Sequence, residues 1–402
     1  MSQGGITVVG LDGRSLEEEI ERLLRNAALV AGGKRHLEML GVGEGRAVVL
    51  KGDLSEALAR IEGTEGPVVV VASGDPGFFG IVRLLGGWFG RKNLHILPGL
   101  SSVSLAFARA GLSWDDAVTV SAHGRDPRRA INVCRAHPKV AVLTSPDFGP
   151  ADLAEALDGL GRTFVVAEKL GEPDERVLQG DASTVAGMEW EDPNVVLVLD
   201  ETNGPGARGW ISSGFRSPGR WALPEGEFEH RSGMITRSAT RAFVLSRLGP
   251  RPGDLIWDIG AGSGSVAIEC ALLGAAAIAI ERDPESCARI RRNTVSHDAY
   301  VHLIEGTAPE ILHDLPEPDA VFVGGSGGAF EEIVKLSAVR ARRAVVLALV
   351  TLERVVPATR LLEDCGLEVE TTFLQTSRMK GIGDLHRLAA ESAVFVVLGS
   401  RS

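Results

Sequence analysis

Cysteine, tyrosine and long apolar runs are what this chain has least of. Four cysteines and one tyrosine stand among 402 residues. Cys134, Cys270, Cys287 and Cys365 lie far apart, each in an apolar or helical context, and no CxxC pair occurs. That excludes a disulfide framework and the ligand spacing of a zinc site, and buried free thiols in a reducing compartment are expected instead. No metal is expected. No apolar run is long and charge-free enough to cross the ~30 Å of a bilayer core, so no membrane association is expected. The start, Met1-Ser-Gln-Gly-Gly-Ile6, has no basic region leading into an apolar segment. A secretory signal is therefore not expected, and the expected location is cytoplasmic.

A basic surplus is missing as well. Lys and Arg number 42 against 53 Asp and Glu, for a net charge of −11. The halves divide as 20 against 28 over residues 1–200 and 22 against 25 over 201–402. With few stacking rings besides, nucleic acid is not expected as a partner. Neither a Ser-His-Asp nor a Cys-His signature is present. One local exception is a run from 208 to 241 with six arginines (208, 216, 220, 231, 237, 241) and three acids. Such a patch would suit a polyanionic small substrate, or be a solvated linker face.

What the chain does have is apolar material in short, regularly spaced pieces. A chain this long exceeds what one hydrophobic core usually organises. The stretch Asp200-Glu-Thr-Asn-Gly-Pro-Gly-Ala-Arg-Gly209 follows an apolar run and punctuates rather than packs. It sets the expected boundary near residue 205, giving domains 1–205 and 206–402. Before it, strand-like runs (Ile6–Val9, Val68–Ala72, Leu94–Leu97, Val140–Thr144, Thr163–Ala167, Val195–Leu199) alternate with helical patterns such as Leu16–Val30 and Ala151–Leu160. The second half alternates likewise and ends in two expected strands, Leu367–Leu374 and Ser392–Leu398, around a polar loop. Both halves read as α/β, the second as a doubly wound, Rossmann-like sheet with an antiparallel edge. They share no alignable motif, so the chain reads as a fusion and not as a repeat.

The densest signal is Asp258-Ile-Gly260-Ala261-Gly262-Ser263-Gly264 after the apolar run Leu255–Trp257. It reads as a strand ending in a glycine turn that opens a helix at Ser265. Glycine lets backbone approach a ligand closely, and the helix start adds free N–H groups and a positive dipole end. A second run ends in Glu281, where a carboxylate can accept both ribose hydroxyls of an adenosine. Two further strand ends are expected at Glu305-Gly306-Thr307-Ala308 and Val323-Gly324-Gly325. Four strand ends facing one crevice is how open α/β sheets bind ligands. The constellation resembles the class I S-adenosylmethionine-dependent methyltransferases. A methyltransferase acting on RNA or protein is a rival reading, disfavoured by the acidic charge.

In the first half, Ala72-Ser-Gly74-Asp75-Pro-Gly-Phe-Phe-Gly80, Leu97-Pro-Gly99-Leu-Ser101-Ser102 and Ser121-Ala-His123-Gly-Arg125 each follow an expected strand. Together with Leu143-Thr-Ser145 and Glu168–Glu175 they resemble the tetrapyrrole (corrin and porphyrin) methylases over about residues 4–200. One departure is the first loop, Gly10-Leu-Asp12-Gly13, which is short and lacks the usual proline. A non-enzymatic docking role for the first half is the alternative it motivates.

Gly233-Met-Ile-Thr236-Arg237, the glycine turn, Glu281 and Gly306–Glu310 resemble the decarboxylating precorrin methylases over roughly 208–400. The order of the two halves resembles the precorrin-6Y C5,15-methyltransferase (decarboxylating) family as a whole. That resemblance implies two methyl transfers from S-adenosylmethionine to a tetrapyrrole, at C5 and C15, with loss of the ring C acetate carboxyl, in cobalamin biosynthesis. For cofactor contacts it implies Thr236, Gly260, Ala261, Gly262, Ser263, Gly264, Glu281 and Ala308, and in the first half Gly74 and Asp75, with Ser101 and Ser102 as weaker partners. Arg237, Glu310 and Lys380 are the candidates to assist decarboxylation, with no spacing to choose among them. The family also implies a homo-oligomer assembled through its second domain.

Overall fold

The computed structural model describes residues 5–201, 220–231, 235–325 and 327–401. The boundary expected near 205, Arg208, Arg216, Gly233 and Met234 lie outside the described residues. The chain divides into two compact units, Met1–Arg125 with Lys139–Ser212, and Asp126–Pro138 with Ser213–Ser402.

The first unit holds two five-stranded sheets. β1 (Ile6–Leu11), β2 (Leu29–Gly32), β3 (Ala47–Val49), β4 (Val68–Ser73) and β5 (Leu94–Leu97) are all parallel, in the order β3-β2-β4-β1-β5. A central parallel strand is covered on both faces, which is why Val68–Val71 is an unbroken and buried apolar run. The helix expected over Leu16–Val30 is shorter. It runs Glu18–Asn26, and Leu29–Gly32 peels off as a wholly buried strand in register with Val68–Val71. The second sheet has β6 (Val118–Ser121), β7 (Lys139–Leu143), β8 (Thr163–Glu168), β9 (Arg176–Gly180) and β10 (Asn194–Leu199), ordered β6-β7-β10-β8-β9. Its pairings are antiparallel except β6 with β7. The helix Ser102–Ala110 starts just beyond β5 and puts Val103, Ala106 and Phe107 into the core of this second sheet.

In the second unit β11 (Leu255–Ile259), β12 (Ala276–Glu281), β13 (Val301–Glu305), β14 (Ala320–Val323), β15 (Ala344–Leu349), β16 (Glu368–Leu374), β17 (Ser377–Ile382), β18 (Leu385–Ala390) and β19 (Val394–Ser400) follow in turn. Seven of them form one sheet, β13-β12-β11-β14-β15-β19-β16, with β19 antiparallel to both its neighbours. Side chains alternate across it: Trp257, Val321 and Leu347 enter one apolar layer, Ile256, Phe322 and Val346 the other. This is the doubly wound sheet with an antiparallel edge. The segment expected as a polar loop instead forms a two-stranded hairpin, β17 with β18. Among the described residues no helix is long and apolar enough to cross a membrane.

Candidate cofactor and substrate site

The order of strands reverses at β11, whose neighbours β12 and β14 lead outward in opposite directions. Such a switch point leaves a crevice beyond the carboxyl ends of the strands. Here it is a cleft of about 1030 Å³. Gly260 leaves β11 at φ 70°, and a Cβ on it would stand 2.3 Å from the Gly325 carbonyl oxygen. No side chain fits there, so two backbone segments meet and leave the adjoining space to a ligand.

Glu281 ends β12 at the rim. Its carboxylate accepts hydrogen bonds from the amides of Gly262 (2.8 Å), Arg282 (2.9 Å) and Asp283 (3.0 Å). A carboxylate offers about four acceptor directions, so it is oriented by the turn and retains capacity for a hydroxyl donor. Asp258, two residues before the turn, is buried. One of its oxygens accepts from the Ala267 amide at 3.0 Å and the other has no partner. Burial pushes its carboxyl up to about 7.

Thr236, Arg237, Gly260, Ala261, Gly262, Ser263, Glu281 and Ala308 all line the cleft. Gly264 stands at the helix start at φ 73°, and a Cβ on it would press on Ile290. Glu310 and Lys380 are exposed, on a short helical turn and on β17, and neither lines the cleft. Arg237 is half exposed and lies 4.0 Å from Glu391, whose carboxylate Arg378 already holds at 3.0 Å. Among the described residues the arginine run does not form one patch. Arg231 and Arg237 line the cleft, Arg220 pairs with Glu227, and Arg241 is wholly buried against Glu269. Two further cations line the cleft, Arg282 and Arg289; in sequence they are marked by nothing more than a place directly after Glu281 and on the next helix.

In the first unit Gly10, near the end of β1, meets Gly74 and Gly99, which follow β4 and β5. A Cβ on Gly10 would stand 2.0 Å from the Gly74 carbonyl oxygen and 2.3 Å from the Gly99 nitrogen. Asp75 accepts from the Gly77 amide at 2.8 Å, and Ser101 caps the helix Ser102–Ala110 by accepting from the Ser104 amide at 3.1 Å. Ser102 opens that helix. The short first loop is fastened by Asp12, which accepts from Arg14 (2.6 Å) and the Leu100 amide (3.0 Å). The Arg14 hydrogen bond is the main reason its carboxyl lies below the usual range. His123 is exposed.

Two family models match. One, described as tetrapyrrole (corrin/porphyrin) methylases, matches residues 7–186, and one described as a precorrin methyltransferase domain matches 227–398. A precorrin-6Y C(5,15)-methyltransferase [decarboxylating] from Sinorhizobium is 40% identical over 338 residues, 80% of this chain and 78% of its own. Two relatives span about half of this chain. The cobalt-precorrin-7 C(5)-methyltransferase of Salmonella typhimurium is 34% identical over 49% of this chain and 99% of its own. A probable cobalt-precorrin-6B C(15)-methyltransferase (decarboxylating) of Pyrobaculum calidifontis is 32% identical over 46% of this chain and 96% of its own. The class is thus that of the S-adenosylmethionine-dependent methyltransferases, represented here by two different domains. Within that class, the chain belongs to the decarboxylating precorrin-6Y C5,15-methyltransferase family.

Proposed function

We propose that this chain methylates a precorrin-6 type tetrapyrrole at C5 and C15 with S-adenosylmethionine and removes the carboxyl of the ring C acetate. The observation that carries the reading is that a relative named as a C(5)-methyltransferase and one named as a C(15)-methyltransferase (decarboxylating) each match about half of this chain over nearly their whole lengths, while a relative named for both positions matches 80% of it. Residues 1–205 are assigned the C5 step and 206–402 the C15 step with decarboxylation.

In the second unit the Gly260–Gly264 turn, Thr236 and Ala308 would hold the cofactor, with Glu281 accepting its ribose hydroxyls. The cofactor supplies an electrophilic methyl on sulfonium with a neutral leaving group. The protein therefore needs no nucleophile of its own; the tetrapyrrole carbon attacks, and proximity and orientation lower the barrier. Arg237, with Arg231 nearby on the cleft wall, is the group to seat the acetate carboxylate. Glu310 and Lys380 stay candidates only if substrate reaches beyond the cleft. In the first unit Gly10, Gly74 and Gly99 would form the cofactor floor, with Asp75, Ser101 and Ser102 shaping it through their turns.

The assembly proposed is a homo-oligomer in the cytoplasm. Supporting it is the β17–β18 hairpin, whose cross-strand pairs Met379–Leu388 and Ile382–Leu385 are all exposed.

Calorimetric titration tests the cofactor assignment. Two S-adenosylmethionine sites are expected per chain. Gly260→Ala should delete one and Gly10→Ala the other, the surviving site reporting that the rest of the chain is folded. No binding to the parent protein would overturn the reading.

A further inference from the structure

Arg241 and Glu269 form an ion pair in which both side chains are essentially excluded from solvent, 0% and 1% exposed. Arg241 lies on the helix Ser238–Leu248, Glu269 on the helix Ser265–Leu272 that the glycine turn opens. Arg241 Nε donates to Glu269 at 2.5 Å, Nη1 donates to the Thr236 carbonyl at 2.5 Å, and Nη2 donates to the Leu223 carbonyl. The guanidinium also sits 4.8 Å from the centre of the Phe228 ring. Glu269 in turn accepts from the amides of Ala222 (2.5 Å) and Leu223 (3.0 Å). Ala222 is held at φ 55°, a left-handed conformation that a residue with a Cβ adopts at a cost.

The pair therefore joins three things: the helix that follows the Gly260–Gly264 turn, the 222–223 segment, and Thr236 in the lining of the cleft. Stability alone does not account for it. Burying two charges costs about what their attraction returns, and well-packed apolar residues of similar volume serve a core as well or better. An apolar pair would leave the Thr236 carbonyl and the 222–223 amides unheld.

We propose that Arg241, braced by Glu269, is a positioning residue for methyl transfer in the second unit, fixing Thr236 at its distance from the glycine turn. The proposal rests on the functional reading above. It also assigns Glu269 the task of keeping Ala222 in its left-handed turn, so that the 222–223 segment and the cofactor turn move as one piece.

The test compares Arg241→Met, Arg241→Lys and the double variant Arg241→Met/Glu269→Met in the full chain, reading thermal midpoint and S-adenosylmethionine affinity at each site. Arg241→Met alone should melt early, because an unpaired carboxylate is left buried. The double variant should recover most of the parent midpoint yet bind cofactor at the second-unit site at least tenfold more weakly, with first-unit binding unchanged. Arg241→Lys keeps the charge but loses the fork to Thr236 and Leu223; it should fold and show an intermediate loss of affinity. Parent-like second-site affinity in a folded double variant, or in Arg241→Lys should the double not fold, would overturn the positioning role and leave the functional reading intact. A parent protein that binds nothing at the Gly260 turn would remove both.

Discussion

Asp258 shows what the glycine turn demands of its neighbours. It sits wholly buried at the end of β11, one oxygen bound to the Ala267 amide and the other without a partner. Burial raises its carboxyl to about 7, whereas in an unfolded chain it ionises near about 4. The folded form thus holds a proton that the unfolded form releases. Its contribution is complete below about pH 4 and is lost as pH rises to about 7. Asp258→Asn, which cannot ionise, should flatten that fall, measured as the urea midpoint of the second unit at pH 5 and pH 8. Equal slopes in parent and variant would refute this account of the group. Residues at this scale were legible where a local pattern spelled them: Gly260, Gly262, Glu281 and Ala308 reach the cleft because each lies at or just beyond the end of a strand in one crevice. Arg241 was not legible as a buried group. Composition reports that an arginine is present, and only packing decides that it faces Glu269 and not solvent.

Elements followed the same division. Parallel strands covered on both faces read as unbroken apolar runs, so β1, β4, β11 and β12 were apparent from sequence; β10, antiparallel to both its neighbours, is buried along its whole length and reads the same way. The extent of the helix Glu18–Asn26 was not, because Leu29–Gly32 continues its apolar character and only pairing with β4 turns it into a strand. The β17–β18 hairpin is not legible in the sequence because Arg378, Lys380, His386 and Arg387 break its apolar pattern. An isolated two-stranded hairpin is marginal in water, and this one exposes Met379, Ile382, Leu385 and Leu388. Covering them with the same element of other copies fits that exposure. The double variant Leu385→Glu/Leu388→Glu should reduce the mass found by light scattering to that of a single chain while the thermal midpoint of the first unit stays put. A parent protein that is already monomeric at the same concentration would contradict the proposed assembly.

At the scale of the whole molecule, two units of different topology bring two glycine-lined strand-end sites to one chain, and the family match supplies two methyl transfers for them. The second site has a cleft with an oriented carboxylate and four arginines on its walls; the first has a glycine convergence whose polar side chains are largely engaged in their own turns. Whether both sites work is therefore the central question. Purified protein incubated with S-adenosylmethionine and reduced precorrin-6, with the product followed by mass, answers it most directly. The account predicts gain of two methyl groups with loss of one carbon dioxide, reduced in Gly10→Ala to one methyl with carbon dioxide still lost. One methyl and loss of carbon dioxide from the parent protein itself would contradict it, leaving the first unit a docking module.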